Sequence, residues 1–422
     1  MNKTALAFFG SLVIGIATIL YLKPQIADFG YSNGKQLISF YIPLPLTIIF
    51  FFIADFFIES RRRTLILSIG LFLLLLLPLS DLFLNGYVHN PQDDGYRYNI
   101  VASNIAENNT LWGSDDLIFS TNRKVYMIQP GYRYYLAGWI RLFGAENRLY
   151  QCVNMFIYLI TIISLFNRLR NIPVDSLFKK GFSLFVILSS PFVVKLIMMG
   201  LTEWLVVALF IWTVYSFLHY RLLVTVVLLA MLPFLRQNLL FVSVLLFVYI
   251  FFSRKLEWKH VVVYTVILFL PVYHNLYYAN QWKFFATYYN INSFFILEFE
   301  GSFATRLLKT FFYHIILYTG IDWLLDNLFA NLLAFVCIPV GTLLYIYGIY
   351  KTRLSERWWY LLITISAILP TLILGGRAYY PRFEWVNLYL AALIFVSIKY
   401  TESHSIPAID IERTQSDRMD IR

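Results

Sequence analysis

The sequence predicts an all-α polytopic membrane protein with about twelve transmembrane helices. Of its residues, 59% are hydrophobic and 14% are charged, whereas a soluble domain is about 45–50% apolar and about 25% charged. Apolar runs of about 20 residues, the length that crosses a bilayer, recur along the chain. Because they show no strand-like alternation, and because lipid requires internally satisfied backbones, each run is predicted to be a helix.

The predicted spans follow one another along almost the whole chain. In order they cover residues 4–22, 37–58, 64–84, 149–166, 181–199, 204–218, 222–235, 238–252, 261–279, 328–350, 359–374 and 386–398. The first lacks a small-residue cleavage site, so we expect it to remain as a helix. Pro233 and the polar run Arg236-Gln237-Asn238 mark the turn between two short spans.

The distribution of basic residues predicts the orientation. With the N-terminus inside, every short cytoplasmic loop is basic, as the positive-inside rule requires. The residues concerned are Arg61, Arg62, Arg63, Arg168, Arg170, Lys179, Lys180, Arg221, Arg254, Lys255, Lys259, Lys351, Arg353 and Arg357. The net charge of +10 is therefore attributed mainly to these loops, and not to binding of nucleic acid.

Residues 1–400 are predicted to form a single transmembrane domain. The remaining parts are two large extracytoplasmic loops, residues 87–148 and 280–327, and a disordered cytoplasmic tail, residues 401–422. Within the first loop, residues 98–107 and 132–143 have the apolar spacing of helices that lie on the membrane surface. This loop is where we expect the chemistry.

The acid doublet Asp93-Asp94 follows the third apolar segment, within the stretch from His89 to Tyr98. One carboxylate of such a pair can take a proton from a hydroxyl group. The other can hold a metal ion, position an acceptor, or raise the pKa of the first by like-charge repulsion. Asp94 and His89 are thus candidate ligands of a divalent metal, and Tyr96 is a candidate substrate contact. The alternative is a solvated turn, because Asp-Asp-Gly is favourable turn chemistry.

Three arginines are predicted to lie on the same side as the doublet: Arg236, Arg377 and Arg382. Basic residues on the extracytoplasmic side run against the positive-inside rule, so they need another reason. A lipid-linked phosphate or pyrophosphate would supply it, because guanidinium groups bind phosphate bidentately and stabilise charge that develops on it. The alternative is that these side chains snorkel to lipid headgroups.

Two further residues are candidate substrate contacts. Glu203 lies in the extracytoplasmic turn Thr202-Glu203-Trp204, with Lys195 as a candidate counter-ion. The alternative role of this carboxylate is to complement the dipole of the helix that starts there. Tyr380 is one of many tyrosines at segment ends, which fit either an aromatic belt at the lipid–water boundary or a platform for a glycan.

Taken in order, these motifs resemble the GT-C superfamily of integral-membrane glycosyltransferases, which use polyprenyl-phosphate-linked sugars. The resemblance covers roughly residues 90–396. The motifs that carry it are Asp93-Asp94-Gly95-Tyr96, the stretch from Gln129-Pro130-Gly131-Tyr132 to Leu142-Phe143-Gly144, Glu203, Arg236 and Arg382-Phe383.

The resemblance implies an inverting glycosyltransferase whose active site faces the extracytoplasmic side, in a bacterial inner membrane. It implies that Asp93 is the catalytic base, with Asp94 beside it. Arg236 and Arg382, which match the family's motifs, and Arg377, which the topology places with them, are then expected to bind the donor phosphate. The implied partners are a polyprenyl-phosphate-linked sugar, a glycan, lipid or cell-envelope polymer as acceptor, and membrane lipids. A divalent metal is the one candidate cofactor, and no nucleic-acid partner is expected.

Two other functions remain open. A transporter or flippase for lipid-linked sugars places charges in the middle of the membrane on broken helices, whereas most charges here fall near the predicted surfaces. An O-antigen-type polymerase or ligase is also aromatic-rich, but the early acidic loop argues against it. Substrate class separates the enzymes: a glycosyltransferase of this type consumes a monosaccharide phospholipid, and a polymerase or ligase consumes a preassembled oligosaccharide lipid.

Overall fold

Helices form all the regular secondary structure in the part of the chain that the structure describes. The computed structural model describes residues 94–108, 130–144, 147–169, 172, 174–254, 256–280, 282, 301–302, 305, 308–309, 312, 328–374 and 381–404. These ranges contain no strand, which confirms the all-α prediction for them. The predicted spans at residues 4–22, 37–58 and 64–84 lie outside the described residues.

The described chain contains twelve α-helices and one 3-10 turn. The helices are α1 Asp94–Asn108, α2 Pro130–Phe143, α3 Asn147–Leu169, α4 Ser176–Met198, α5 Glu203–Leu218, α6 Leu222–Leu235, α7 Leu240–Arg254, α8 Trp258–Leu268, α9 Leu270–Ala279, α10 Leu328–Lys351, α11 Leu354–Leu374 and α12 Pro381–His404. The 3-10 turn, Gln237–Leu239, precedes α7.

Helices α1 and α2 correspond to the two predicted surface helices, and they pack against each other. Pro130 starts α2, where its fixed φ and missing N–H cost nothing. Helix α1 starts four residues earlier than the predicted bound of residue 98. Asp94 therefore lies in the first turn of a helix, where a carboxylate complements the helix dipole, and not in an independent solvated turn.

The predicted segment at residues 261–279 is two helices. Helices α8 and α9 meet at Phe269 with a bend of 41°. Pro271 follows at the start of α9, and because proline has no N–H it interrupts the helical ladder at this point. Pro233, which was predicted to mark a turn, lies inside α6; that helix ends two residues later, at Leu235.

Helix α12 lies at the centre of the bundle and contacts α5, α10 and α11. Every residue from 385 to 398 is buried, including the large rings of Trp385 and Tyr389. The helix continues to His404, four residues into the predicted disordered tail. The prediction is wrong for these four residues, because Glu402 is buried and accepts a hydrogen bond of 2.7 Å from Lys399. Residues 405–422 lie outside the described chain.

One described helical segment, Gln237–Arg254, is long and apolar enough to cross a membrane. The bent pair of α8 and α9 meets the same criterion if it is counted as one span. Shorter apolar helices cover Val153–Phe166, Glu203–Leu218 and Leu222–Leu235. The larger number of about twelve spans stays a prediction from the whole sequence.

Candidate functional site

Two of the predicted site residues form a buried ion pair. Arg236 Nη1 donates to Glu203 Oε1 over 2.7 Å. Arg236 is 8% exposed and Glu203 is 2% exposed. A buried charge is tolerated when it is paired and hydrogen-bonded. Each residue supplies the counter-charge that allows the other to be buried.

The pair lies on two turns, one between α4 and α5 and one after α6, and the two turns form for different local reasons. Helix α4 ends in a Schellman motif: Leu201 N–H donates to Leu196 O over 2.9 Å, and Gly200 has a left-handed φ of 66° that favours glycine. Glu203 follows in the first turn of α5. After α6, Arg236 has an extended backbone with φ −148° and ψ 116°, which ends the helix.

A hydrogen bond joins the two turns directly. The Thr202 hydroxyl donates to the carbonyl of Leu235 over 3.3 Å. These residues immediately precede Glu203 and Arg236 in the chain. The bond therefore ties the start of α5 to the end of α6 beside the ion pair.

The acidic motif packs against the first of these turns. A Cβ at Gly95 would lie 1.7 Å from the carbonyl oxygen of Met199, so only glycine allows α1 to approach the α4–α5 turn this closely. The neighbouring Asp94 is half exposed, and its Oδ1 lies 4.0 Å from Arg97 Nη1. The start of α1 thus lies at the same end of the bundle as Glu203.

The second motif packs against the other turn. A Cβ at Gly131 would lie 2.7 Å from Phe234 Cβ and 3.1 Å from the Phe234 backbone carbon. Phe234 is two residues before Arg236. The glycines of the two sequence motifs therefore bring α1 and α2 onto the two turns that supply the ion pair.

A cluster of aromatic rings fills the space between these helices. We call it the aromatic cluster; its members are Tyr98, Tyr132, Tyr135, Trp139 and Trp204. Tyr132 and Trp204 have no exposed surface, so these two rings are packing groups and not an open platform. Burial raises the pKa of Tyr132 well above its ordinary value, with Tyr150 adding to the shift, so its hydroxyl stays neutral.

Arg133 lies beside the aromatic cluster. Its guanidinium carbon is 5.8 Å from the centroid of the Tyr98 ring, and the residue is 9% exposed. Its Nε is buried without a hydrogen-bond acceptor among the described residues. Sequence reasoning missed this residue, although an arginine directly after Gly131-Tyr132, in a run of aromatic residues, was an available signal.

The other predicted site residues are described only in part. Asp93, His89, Arg377 and Tyr380 lie outside the described residues. Arg382 is in the first turn of α12, but its side chain is not described. Tyr96 is half-buried in α1.

The structure gives Glu203 a counter-ion that the sequence prediction did not name. The prediction named Lys195, whose side chain is not described, whereas the structure pairs Glu203 with Arg236. The charge rule singled out Arg236, and a place in an extracytoplasmic turn singled out Glu203, but neither gave information on the distance between the two residues. Among the described residues, no three side chains of His, Cys, Asp or Glu form a group that could hold a metal ion.

Comparison of the chain with family models, with curated proteins and with solved structures finds no match. The resemblance to the GT-C superfamily accordingly stays a prediction from the motifs.

Proposed function

We propose that the protein is an inverting membrane glycosyltransferase of the GT-C type, which moves a sugar from a polyprenyl-phosphate donor to an extracytoplasmic glycan, lipid or polymer. One observation carries the proposal: the buried Glu203–Arg236 pair lies where both motif helices pack, through Gly95 and Gly131. A buried guanidinium beside an acidic motif is suited to hold a phosphate leaving group close to a base.

In the proposed reaction, Asp93 takes the proton from the acceptor hydroxyl, and the acceptor oxygen attacks the anomeric carbon. The bond from that carbon to the phosphate oxygen breaks, and the lipid phosphate leaves with the electron pair. Attack on the face opposite to the leaving group inverts the anomeric centre. Asp94 positions the acceptor or a divalent metal, and Tyr96 and Tyr380 contact the sugars.

Arg236, Arg377 and Arg382 bind the donor phosphate and stabilise the negative charge that develops on it. Glu203 acts through Arg236 as a positioning residue, because a 2.7 Å bond to one guanidinium nitrogen fixes the direction of the others.

The proposed location is a membrane, with this site at the extracytoplasmic face of a bacterial inner membrane. Helix α5 has 16 residues, so it separates Glu203 from the opposite end of the bundle by roughly 24 Å at 1.5 Å per residue. That end holds Arg168 and Arg254, which the charge rule assigns to the cytoplasm. The two ends are thus spaced like the two faces of a hydrocarbon core of about 30 Å.

The test is transfer of labelled sugar by purified protein that carries Asp93→Asn or Asp94→Asn. We expect Asp93→Asn to abolish transfer and to leave donor binding intact, because the amide keeps the shape of the side chain and loses the base. Retained transfer in Asp93→Asn contradicts the role of this residue. Loss of transfer on chelation, restored by added metal, would show that the reaction needs a divalent metal, for which Asp94 and His89 are the candidate ligands.

A further inference from the structure

The charge of the Glu203–Arg236 pair is balanced within the protein. Glu203 accepts a hydrogen bond of 2.7 Å from Arg236, and both residues are buried. The pair therefore offers a phosphate good hydrogen-bond geometry but little net positive charge. A dianionic leaving group bound at this site needs a further cation that the protein has not already neutralised.

Arg133 has the properties of such a cation. It is 9% exposed, its guanidinium forms no ion pair with a carboxylate in the described chain, and its buried Nε has no acceptor there. Its one described partner is the face of Tyr98, 5.8 Å away. Because removing a charge from water without a counter-charge is costly, this arrangement favours binding of an anion.

Arg254, at the other end of the bundle, shows how the protein accommodates a guanidinium that has no carboxylate partner among the described residues. Its Cζ lies 5.2 Å from the ring centroids of Phe217 and Tyr220 and 5.4 Å from that of Tyr400. Three ring faces supply compensation by cation–π attraction. Arg133 has one such ring, at a longer distance, so its charge is compensated less.

Ring contacts connect Arg133 to the site. Tyr98, which carries Arg133 on its face, meets Tyr132 edge-on with centroids 5.5 Å apart. Tyr132 stacks on Tyr135 at 6.1 Å, and Tyr135 meets Trp204 at 6.3 Å. Trp204 is the residue after Glu203. Arg133 thus belongs to the same end of the bundle as the ion pair.

We propose that Arg133 is an additional anion-binding residue of this site and that its ligand is the phosphate group of the lipid-linked donor. The inference rests on the proposed function for the identity of the ligand. In this arrangement Arg236 supplies directed hydrogen bonds, and Arg133 adds net positive charge to that which Arg377 and Arg382 are proposed to supply.

The experiment measures binding of a polyprenyl phosphate, and of the matching uncharged polyprenol, to the full-length protein in detergent. Arg133→Gln should weaken binding of the polyprenyl phosphate about tenfold or more and leave polyprenol binding unchanged. Arg133→Lys should retain most of the binding, because it keeps the charge. The matched control is Arg141→Gln on the same helix, an exposed arginine whose loss should change neither affinity.

Thermal unfolding of the ligand-free protein gives an independent readout. If Arg133 is an uncompensated buried charge, Arg133→Gln should melt at the same temperature as the wild type or higher. A clearly lower melting temperature, or a failure to fold, would mean that Arg133 is a structural residue and would overturn the proposal. Unchanged affinity for polyprenyl phosphate, or equal loss of affinity for polyprenol, would overturn it as well.

The outcomes for Arg133 and for the proposed function are distinguishable. Selective, Arg133-dependent binding of polyprenyl phosphate without any sugar transfer would support the phosphate site and count against the glycosyltransferase. Transfer by the wild type with unchanged phosphate affinity in Arg133→Gln would keep the enzyme and remove Arg133 from its site.

Discussion

At the scale of the residue, burial decides what an ion pair contributes. The pair Glu203–Arg236 and the pair Glu257–Lys259 have the same separation of 2.7 Å. The first is buried, whereas both side chains of the second are more than 60% exposed, at 66% and 62%. Water screens the exposed pair, so loss of this ion pair changes the free energy of unfolding little. Removal of one partner from the buried pair leaves an uncompensated charge.

We therefore expect Glu203→Gln to lower the free energy of unfolding by about 3–5 kcal/mol. The double variant Glu203→Gln with Arg236→Gln should be destabilised by less than the sum of the two single variants, because neither charge is left alone. Thermal unfolding in detergent measures both effects, and Lys259→Gln, which removes the exposed pair and should show no resolved change, is the control. Additive single and double variants would contradict a direct coupling.

The sequence identified Glu203 and Arg236 separately, Arg236 by the charge rule and Glu203 by its place in an extracytoplasmic turn. Their contact was not predictable, since the two residues are 33 positions apart and no local pattern encodes the packing of α5 on α6. Arg133 was overlooked for a related reason: its place in a run of aromatic residues was visible, but its burial depends on packing that the sequence does not show.

At the scale of the element, two glycines set how closely α1 and α2 approach the site. Their missing side chains allow contacts with Met199 and Phe234 that a methyl group would prevent. Gly138, also in α2, is different, because a Cβ there meets nothing within 4 Å. One helix therefore contains both a glycine that the packing requires and one that it does not.

Gly95→Ala and Gly131→Ala should each lower stability by about 1–3 kcal/mol, because the added methyl group forces the helices apart. Gly138→Ala should raise stability by up to about 1 kcal/mol, since alanine is the better helix former. Thermal unfolding compares the three variants. Equal effects at Gly131 and Gly138 would contradict the packing described for α2.

Asp175 links the start of α4 to α10 on the predicted cytoplasmic side. It accepts a hydrogen bond of 2.8 Å from the Phe178 N–H and one of 2.5 Å from the Tyr347 hydroxyl. Partial burial raises the pKa of Asp175, but the hydrogen bonds from Tyr347 and Phe178 outweigh it, so its pKa lies below the ordinary 3.8. The folded state thus favours the ionised carboxylate.

Because this pKa is depressed on folding, Asp175 contributes stability above pH 3.8, and that contribution is lost as the pH falls through the lower, folded-state pKa. Asp175→Ala should lower the free energy of unfolding by about 1 kcal/mol at neutral pH, as expected for loss of a helix cap. The difference in melting temperature between wild type and variant should shrink on acidification. A difference that stays constant down to pH 3 would contradict this role.

Much of the element structure was predictable. The bounds of α6 match the predicted segment at residues 222–235, because an apolar run between polar turns defines a helix locally. The predicted segment at residues 261–279 is bent, and Pro271 was a visible reason for it. The extension of α12 to His404 was not visible, because it depends on burial of Glu402 against distant residues.

At the scale of the whole molecule, the described bundle has two chemically distinct ends. One holds the Glu203–Arg236 pair, the start of α1 and the aromatic cluster. At the other, Arg168 and Tyr400 both donate to the carbonyl of Leu218, and Arg254 lies among aromatic rings. The orientation predicted from charge places the first end outside the cell and the second inside.

This orientation predicts the labelling of single cysteines in a background without Cys152 and Cys337. Asn108→Cys, exposed at the end of α1, should react with a membrane-impermeant maleimide in intact cells. Lys259→Cys, exposed at the start of α8, should react only after permeabilisation. Labelling of both positions in intact cells would contradict the assigned topology.

The most direct measurement is release of lipid phosphate from a panel of polyprenyl-phosphate sugars by the purified wild-type protein and by Arg236→Gln. The proposed enzyme releases polyprenyl phosphate from at least one monosaccharide donor when an acceptor is present. The Arg236→Gln variant, supplied with the same donor, does not. Release only from preassembled oligosaccharide lipids, release from no member of the panel, or undiminished release by Arg236→Gln would contradict the central claim.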